Sequence, residues 1–275
     1  MTMRRIIGPL LINTALAALG LFVLLPMLWM LAVSFMQPGE AASYPPPLVP
    51  SHPTLANYTA LFARGGMSRY LVNSFLFATA ATALSLTFNV AAGYAFAKLH
   101  FPGRDMLFRL LLAGLVVPAQ VGMLALFLML KQMGLVNSYA GALVPWLASI
   151  FGIFIVRQYA LSVPGELIEA GRLDGASELR IFWSIVLPML RPVLVTLGLF
   201  TFVANWNDFL WPLIILSDDG RYTLPVALAA MSREHVQDAE LMMAGAVVTI
   251  APVLILFIIA QRQYVAGLTA GGVKG

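Results

Sequence analysis

Residues 166–192 read ELIEAGRLDGASELRIFWSIVLPMLRP, a polar segment that lies between two long apolar runs. The charged side chains of its first half are Glu166, Glu169, Arg172, Asp174, Glu178 and Arg180. Hydrophobic chains of this size usually keep their loops short, and the simplest reason for one so long and polar is that another protein docks there. We therefore expect a partner-binding loop between membrane-spanning helices.

The composition predicts a membrane protein. Of the 275 residues, 60% are hydrophobic and 10% are charged, whereas a soluble domain carries about 25% charged residues. So few charges cannot cover a surface that faces water, and lipid must therefore solvate much of it. Stretches of about 20 apolar residues are then candidate transmembrane helices. The chain has no cysteine, which excludes disulfides and thiolate chemistry.

The apolar runs predict an all-α membrane protein, a bundle of six transmembrane helices in one domain of residues 1–275. The predicted spans are about 8–34, 70–97, 106–130, 139–158, 193–217 and 242–261, and the polar loop covers about 159–192. The first run begins after Arg4 and Arg5 and continues to Phe35, which is too long for a cleaved signal peptide. A strand barrel would instead show short alternating segments.

The basic residues orient these spans. With the N-terminus inside, eleven of the 16 lysines and arginines lie on the cytoplasmic side and five lie outside. Cytoplasmic loops of membrane proteins carry such an excess of Lys and Arg. Both termini are therefore predicted to be cytoplasmic.

Two longer segments are predicted to lie outside the membrane. Residues 36–69 contain six prolines and are expected to be extended rather than helical; they form either a passive connector or a contact surface for an external partner. Residues 218–241 carry charges of both signs and are expected to form a solvated loop.

The sequence predicts no catalytic site, metal site or cofactor. A phosphate-binding P-loop requires Gly-Lys followed by Ser or Thr, and none of the three lysines fits this pattern. The three histidines are isolated and form no HExxH pair. The predicted spans contain one acid, Asp208, and no lysine or histidine, so ion coupling by this chain alone is not expected.

The polar loop is predicted to form two helices joined by a sharp corner. Pro164 suits the first turn of a helix. That helix should end near Leu173, because Asp174-Gly175 is a turn pair and glycine tolerates positive φ. A second helix should run from about Ala176 to Leu187. An ordinary surface hairpin would have the same spacing, so the spacing alone does not identify a partner.

Several spaced residues of the loop resemble the EAA loop of ABC-importer permeases. They are Glu169-Ala170-Gly171, Asp174-Gly175-Ala176, Ile185, Leu187 and Pro188. Gly171 stands where the family commonly has alanine, which should weaken the first helix by up to about 1 kcal/mol. The six spans and the ending QRQYVAGLTAGGVKG extend the resemblance to the whole chain. It is similar to carbohydrate-uptake permeases of the maltose type, in particular to their second permease subunit.

The resemblance implies a bacterial inner-membrane subunit that imports a mono- or oligosaccharide. The implied partners are a sister permease in a heterodimer, two ATPase subunits that hydrolyse the ATP, and an external solute-binding protein. The loop would be a coupling helix, and its implied ATPase-docking residues are Glu169, Ala170, Gly171, Asp174 and Gly175. The glycine-rich tail from Gly267 to Gly275 is flexible by composition, and the resemblance implies that it reaches between the ATPase subunits.

Residues 205–212, NWNDFLWP, are the most polar stretch inside a predicted span. A carboxylate near mid-membrane costs about 2.5–3.5 kcal/mol, so Asp208 should face a cavity or a partner. On a continuous helix Asn205, Asp208 and Pro212 share one face, with a kink at the proline. The candidates for solute contact are Asn205, Trp206, Asn207, Asp208 and Trp211. Alternatively, the tryptophans are interfacial anchors and the amides join helices.

Three other functions stay open. The same architecture would serve glycerol phosphate or another polar solute. A stand-alone secondary carrier would work without an ATPase, and it would need coupling carboxylates that this chain mostly lacks. A membrane enzyme would need a nucleophile, a base or a metal cluster that the sequence does not offer.

Overall fold

A computed structural model describes the backbone of residues 2–63, 66–234 and 238–270, and every regular element within these ranges is a helix. The α-helices are α1 (Thr2–Ser34), α2 (Ala56–Ala63), α3 (Met67–Lys98), α4 (Arg104–Ala113), α5 (Ala119–Gln132), α6 (Tyr139–Leu143), α7 (Ile150–Leu161), α8 (Gly165–Leu173), α9 (Glu178–Ile181), α10 (Leu187–Met189), α11 (Arg191–Trp206), α12 (Leu210–Ile215), α13 (Leu224–Glu234) and α14 (Ala239–Ala270). The helix α14 covers the start of the tail predicted to be flexible; residues 271–275 lie outside the described ranges.

Three helices are long and apolar enough to cross a membrane: Ile12–Ser34, Met67–Lys98 and Ala239–Gln261. Three bent helix pairs pass the same test together, Arg104–Val116 with Ala119–Gln132, Tyr139–Trp146 with Ile150–Leu161, and Glu178–Met189 with Arg191–Trp206. Their bends are 104°, 47° and 78°. If each pair is one span, the described residues hold six, the predicted number, although the third pair begins inside the predicted polar loop, at Glu178 rather than at residue 193. Half of them are therefore broken helices, which the sequence analysis did not anticipate.

The break before α7 is stabilised by a buried polar network. The Ser149 hydroxyl accepts a hydrogen bond from the N–H of Gly152 at 2.9 Å and so caps the helix. The Asn89 carboxamide, fully buried on α3, accepts a hydrogen bond from the Ser149 N–H at 2.8 Å. A helix that begins inside a membrane needs such partners, because lipid supplies none.

The packing of the chain divides it into two compact units, residues 1–68 with 227–252 and residues 69–226 with 253–275. In the first unit the Asn57 side-chain amide on α2 donates to the carbonyls of Ser34 and Met36 at 3.0 and 2.9 Å. The buried Glu240 carboxylate accepts the N–H of Ala41 at 2.8 Å. These contacts order the C-terminal end of α1 and the chain that follows it.

These structures correct two predictions about the external segments. Residues 36–69 are not extended throughout, since they contain α2 and a 3-10 turn at Glu40–Ala42. Residues 218–241 are not a loop, because α13 fills much of this stretch. Glu240, which was expected to be solvated, is buried. The carboxylate of Glu240 accepts the hydrogen bond from the N–H of Ala41, a contact across 199 positions that local composition does not reveal.

Two apolar cores lie among the described residues of the second unit. The first core joins α3, α7, the helices of the polar loop and α11 through buried residues that include Tyr94, Val156, Ile168 and Ile181. Gly93 brings α3 close to α7, since a Cβ there would lie 2.6 Å from Cγ1 of Val156. The second core consists of Phe77, Leu130, Ala142, Trp211, Ile215 and Leu216.

Candidate functional site

The corner of the polar loop is a Schellman turn after α8. The N–H of Ala176 donates to the carbonyl of Gly171, and the N–H of Gly175 donates to the carbonyl of Arg172, both at 3.0 Å. Gly175 has φ of +76°, the left-handed conformation that glycine adopts without strain. The predicted end of the helix at Leu173 and the positive φ at Gly175 are confirmed.

The two arms of the loop, residues 165–173 and 178–189, will be called the hairpin. Its arms pack closely at Gly171, which is buried. A Cβ there would lie 3.2 Å from Cγ1 of Ile181 and 3.2 Å from Cδ1 of Ile185, tighter than most contacts. The glycine predicted to weaken α8 therefore also lets the two arms approach each other.

Polar contacts hold the hairpin closed and join it to α3. The Arg172 guanidinium donates to the Glu178 carboxylate at 2.6 Å, and the Tyr94 hydroxyl of α3 donates to its other oxygen at 3.2 Å. The hydrogen bond from Arg172 lowers the pKa of Glu178 below its ordinary value. On the chain that enters the hairpin, the Lys98 ammonium donates to the carbonyl of Val163 at 2.6 Å.

The second arm differs from its prediction. It begins at Glu178 rather than Ala176, because the Ser177 hydroxyl accepts the N–H of Arg180 and caps the helix there. Its middle, Phe182–Val186, is a wide π-helical turn, after which α10 continues to Met189. Pro164 also lies one step earlier than predicted, at the N-cap of α8.

The predicted docking residues divide into two groups. Glu169, Ala170, Asp174 and Gly175 are exposed, whereas Gly171 is buried. Apolar side chains beside them are also exposed, which the sequence analysis missed: Leu173 at the corner is 89% exposed, and Leu179 and Trp183 on the second arm are exposed as well. A cluster of exposed large apolar residues indicates a contact surface. Leucine immediately before an Asp-Gly corner is the signal that could have found it.

The predicted solute stretch lies at a break between two helices. The helix α11 ends at Trp206 and α12 begins at Leu210, so the prediction of one continuous face through Asn205, Asp208 and Pro212 is wrong. The break precedes Pro212: α12 starts at Leu210, with Phe209 at its N-cap and no side chain capping it.

The candidate side chains at this break do not form one open surface. Trp206 and Trp211 are only 2% and 1% exposed, and Trp206 stacks on Phe202 with ring centroids 6.0 Å apart. In this conformation both tryptophans pack against protein, and neither is accessible to a sugar or to the membrane interface. Asn205 is buried as well, whereas Asn207 is exposed and Asp208 is half-buried.

Three buried polar atoms at the break have no hydrogen-bond partner among the described residues. They are Oδ1 of Asn205, Oδ2 of Asp208 and Nε1 of Trp211. A buried polar atom left unpaired costs about 1–3 kcal/mol. All three lie within seven residues, 205–211. Among the same described residues, no group of three or more His, Asp or Glu could hold a metal ion.

Sequence comparisons agree with this architecture. Residues 89–268 match the family described as binding-protein-dependent transport system inner membrane component. The arabinooligosaccharides transport system permease protein AraQ of Halalkalibacterium halodurans is 36% identical over 279 residues, which cover 99% of this chain and 100% of that protein. The sn-glycerol-3-phosphate transport system permease protein UgpE of Yersinia pestis is 34% identical over 200 residues, 72% of this chain and 71% of that one.

A solved structure shares the fold. It is a bacterial ABC transporter involved in the import of the acidic polysaccharide alginate, and one of its chains aligns with a TM-score of 0.84 at 22% identity, covering 95% of this chain and 98% of that one. The family match, the full-length relative and the broken-helix bundle lead to one conclusion. The chain belongs to the family of binding-protein-dependent transport system inner membrane components, and it is a multi-pass permease subunit of an ABC importer.

Proposed function

We propose that this chain forms half of a sugar-import pathway and does no chemistry of its own. It pairs with a sister permease, two ATPase subunits and an external solute-binding protein, and both of its termini are cytoplasmic. The supporting observation is the closed hairpin with an exposed corner. Full-length similarity to an arabinooligosaccharide permease favours a mono- or oligosaccharide as the solute.

Glycerol phosphate is the second candidate solute. It is supported by similarity to a glycerol-3-phosphate permease, but over 72% of the chain rather than 99%. Uptake of radiolabelled arabinooligosaccharide and glycerol 3-phosphate by cells that carry the complete transporter separates the two. We expect saturable sugar uptake that excess glycerol 3-phosphate does not reduce. Uptake of glycerol 3-phosphate alone would establish the second candidate instead.

The hairpin transmits the movement of the ATPase subunits in this proposal. Glu169, Ala170, Asp174 and Gly175 contact the ATPase together with the exposed Leu173. Gly171 acts from inside by holding the arms together. Because interlocked side chains resist deformation, a hairpin packed into the core of α3, α7 and α11 moves with those helices as one body. ATP binding brings the coupling hairpins together and turns the cavity outward, and hydrolysis returns it.

The helix break supplies this chain's share of the solute path. Asn207 and Asp208, the accessible members of the candidate set, line the path and offer hydrogen bonds to hydroxyl groups. Asn205, Trp206 and Trp211 shape the break from behind. The half-buried side chain of Asp208 supports this assignment, because a carboxylate accepts hydrogen bonds from hydroxyl groups.

Site-directed cross-linking tests the docking assignment. Since the chain has no cysteine, Leu173→Cys introduces a single thiol at the corner, and Asp219→Cys introduces one on an exposed 3-10 turn that we place outside the membrane. A bifunctional thiol–amine reagent added to the assembled complex should link Leu173→Cys to an ATPase subunit and leave Asp219→Cys unlinked to it. A corner thiol that never links to an ATPase would overturn the assignment.

Dependence on the ATPase tests the class of transporter. Transport should stop when the ATPase subunits are absent while this chain stays in the membrane. Uptake that persists without them would establish a stand-alone secondary carrier.

A further inference from the structure

The exposure of α1 changes abruptly along its length. Every described side chain from Ile12 to Pro26 is exposed, whereas burial begins at Met27 and is complete at Val33. Twenty helical residues cover about 30 Å, the thickness of the hydrocarbon core. We place the core across the twenty residues that follow the two arginines, 7–26, which puts Trp29 at the far membrane–water interface, where tryptophan is enriched. If the membrane were placed nearer the C-terminal end of α1, Trp29 would lie deeper in the hydrocarbon core.

The chain that follows α1 turns back toward the depth of Trp29. The indole N–H of Trp29 donates to the carbonyl of Pro47 at 3.3 Å. Ser34, the last residue of α1, lies five residues beyond Trp29, or about 7.5 Å farther along the helix axis. Pro47 is therefore held closer to the membrane than Ser34 is.

A carboxylate closes the base of this returning loop. Oε1 of Glu40 accepts hydrogen bonds from the Ser51 N–H at 2.7 Å and from its hydroxyl at 2.8 Å, and Oε2 accepts the Gln37 N–H at 2.9 Å. The residues between Glu40 and Ser51 therefore project as one closed loop, compact in the manner of an Ω-loop.

The tip of the loop has a composition suited to lipid. Tyr44, Leu48 and Val49 are 100%, 73% and 72% exposed. Residues 43–51, SYPPPLVPS, carry no charge, and four of them are prolines without an N–H group. A segment with few donors loses little when it leaves water, whereas an ordinary loop would expose unpaired N–H groups.

We propose that residues 44–49 are an interfacial anchor that rests in the lipid headgroup layer beside Trp29. Leu24, Leu25 and Leu28, which precede Trp29 on α1, are also exposed. An aromatic ring such as Tyr44 is enriched at the headgroup level of membranes, and exposed aliphatic side chains such as Leu48 and Val49 gain free energy when they leave water. This anchor fixes the outer end of α1 relative to the membrane, and it does not depend on which solute is carried.

Nitroxide labelling of single-cysteine variants tests the proposal in the assembled transporter in lipid nanodiscs. The labelled variants are Leu48→Cys and Val49→Cys, and the control is His52→Cys, which lies just past the closure at Ser51 and is exposed. Oxygen concentrates in lipid and a nickel chelate stays in water. Labels at 48 and 49 should show a clearly higher oxygen-to-nickel accessibility ratio than the label at 52.

Two outcomes would overturn the proposal. Nickel accessibility at 48 and 49 equal to that at 52 would place the tip in water. Exclusion of both reagents would show that protein covers it. Trp29→Phe sharpens the test, because it keeps an aromatic ring and removes the N–H that holds Pro47. We expect the ratio at Val49→Cys to fall toward the control in that variant, and an unchanged ratio would show that Trp29 does not set the depth.

Discussion

The corner of the hairpin and the break after α11 are both interruptions of a helix, and they are built in opposite ways. At the corner, Gly175 and Ala176 donate their N–H groups to the last carbonyls of α8, and Ile168 and Ile181 are buried beneath. At the break, buried polar atoms of Asn205 and Asp208 are left unpaired. In the proposed mechanism the closed interruption moves as a rigid unit with the ATPase, and the open one contributes to the solute path.

The largest predicted effect tests the closed interruption. Gly175→Val forces a β-branched residue into the left-handed region, at a cost of about 1–2 kcal/mol, so the native corner should be roughly 5–30-fold less favoured. We expect solute uptake to fall to a similar extent, with normal amounts of protein in the membrane, as measured by whole-cell uptake and immunoblotting.

Gly175→Asn is the matched control for this variant. A Cβ at this position meets no atom within 4 Å, so both substitutions fit sterically and differ mainly in their tolerance of positive φ. Asparagine should retain most of the uptake. Equal uptake by the Gly175→Val variant and the wild type would show that transport does not need the present shape of the corner.

A smaller effect tests the open interruption. Asp208→Ala removes both carboxylate oxygens from the break, whereas Asp208→Asn keeps one acceptor oxygen and the size of the side chain. Both variants should raise the KM for uptake, Asp208→Ala by the larger factor, because both alter the group assigned to the solute. Normal amounts of assembled complex, measured by immunoblotting, are the control for folding. If both variants leave uptake kinetics unchanged, the carboxylate does not contact the solute.

The ion pair of the hairpin should show a weak pH dependence. A lowered pKa means that Glu178 contributes stability above its ordinary value of 4.5 and loses it as the pH falls through the lowered value. The pair is about half exposed, so solvent screens the interaction and its contribution to stability is small. Amide hydrogen exchange of the hairpin, corrected for intrinsic rates, should reveal less protection at pH 4 than at pH 7.

Glu178→Gln should abolish this pH dependence, and Glu166→Gln, which changes another exposed acid of the same hairpin, should retain it. Loss of the dependence in both variants would assign it to general charge rather than to the pair with Arg172.

The smallest effect concerns the contact between the arms. Gly171→Ala gains up to about 1 kcal/mol of helix propensity, which crowding against the ends of Ile181 and Ile185 offsets. We expect almost no change in the thermal unfolding temperature. Gly171→Leu should destabilise by about 1–3 kcal/mol through overpacking. A loss with alanine as large as that with leucine would show that the isoleucines cannot move.

Local sequence was a good guide where local chemistry decides the structure. Asp174-Gly175 predicted the corner, because an Asp-Gly pair constrains its own backbone. Six apolar runs predicted six spans. The docking role of the corner stays a prediction, as does the role of the helix break in solute contact.

Local sequence failed where distant residues decide the structure. The start of α7 depends on Asn89, 60 positions earlier, and the order of the external segment depends on Glu240, 199 positions from Ala41. Hydrophobicity reveals that a run enters the membrane but not whether it is straight. The burial of Trp206 and Trp211 likewise depends on packing, which a polar sequence such as NWND does not indicate.

The π-helical turn at Phe182–Val186 fits one extra residue into the second arm of the hairpin. A π turn holds one residue more than an α turn, and each residue of an α-helix rotates the chain by about 100°. Removal of one residue between Phe182 and Val186 would let the turn close as ordinary α-helix and leave Glu178–Ile181 in nearly the same orientation relative to Leu187–Met189. The same deletion in ordinary α-helix would rotate the corner by about 100°. The wide turn is thus the one place in this arm where the length of the chain can change without redirecting the corner.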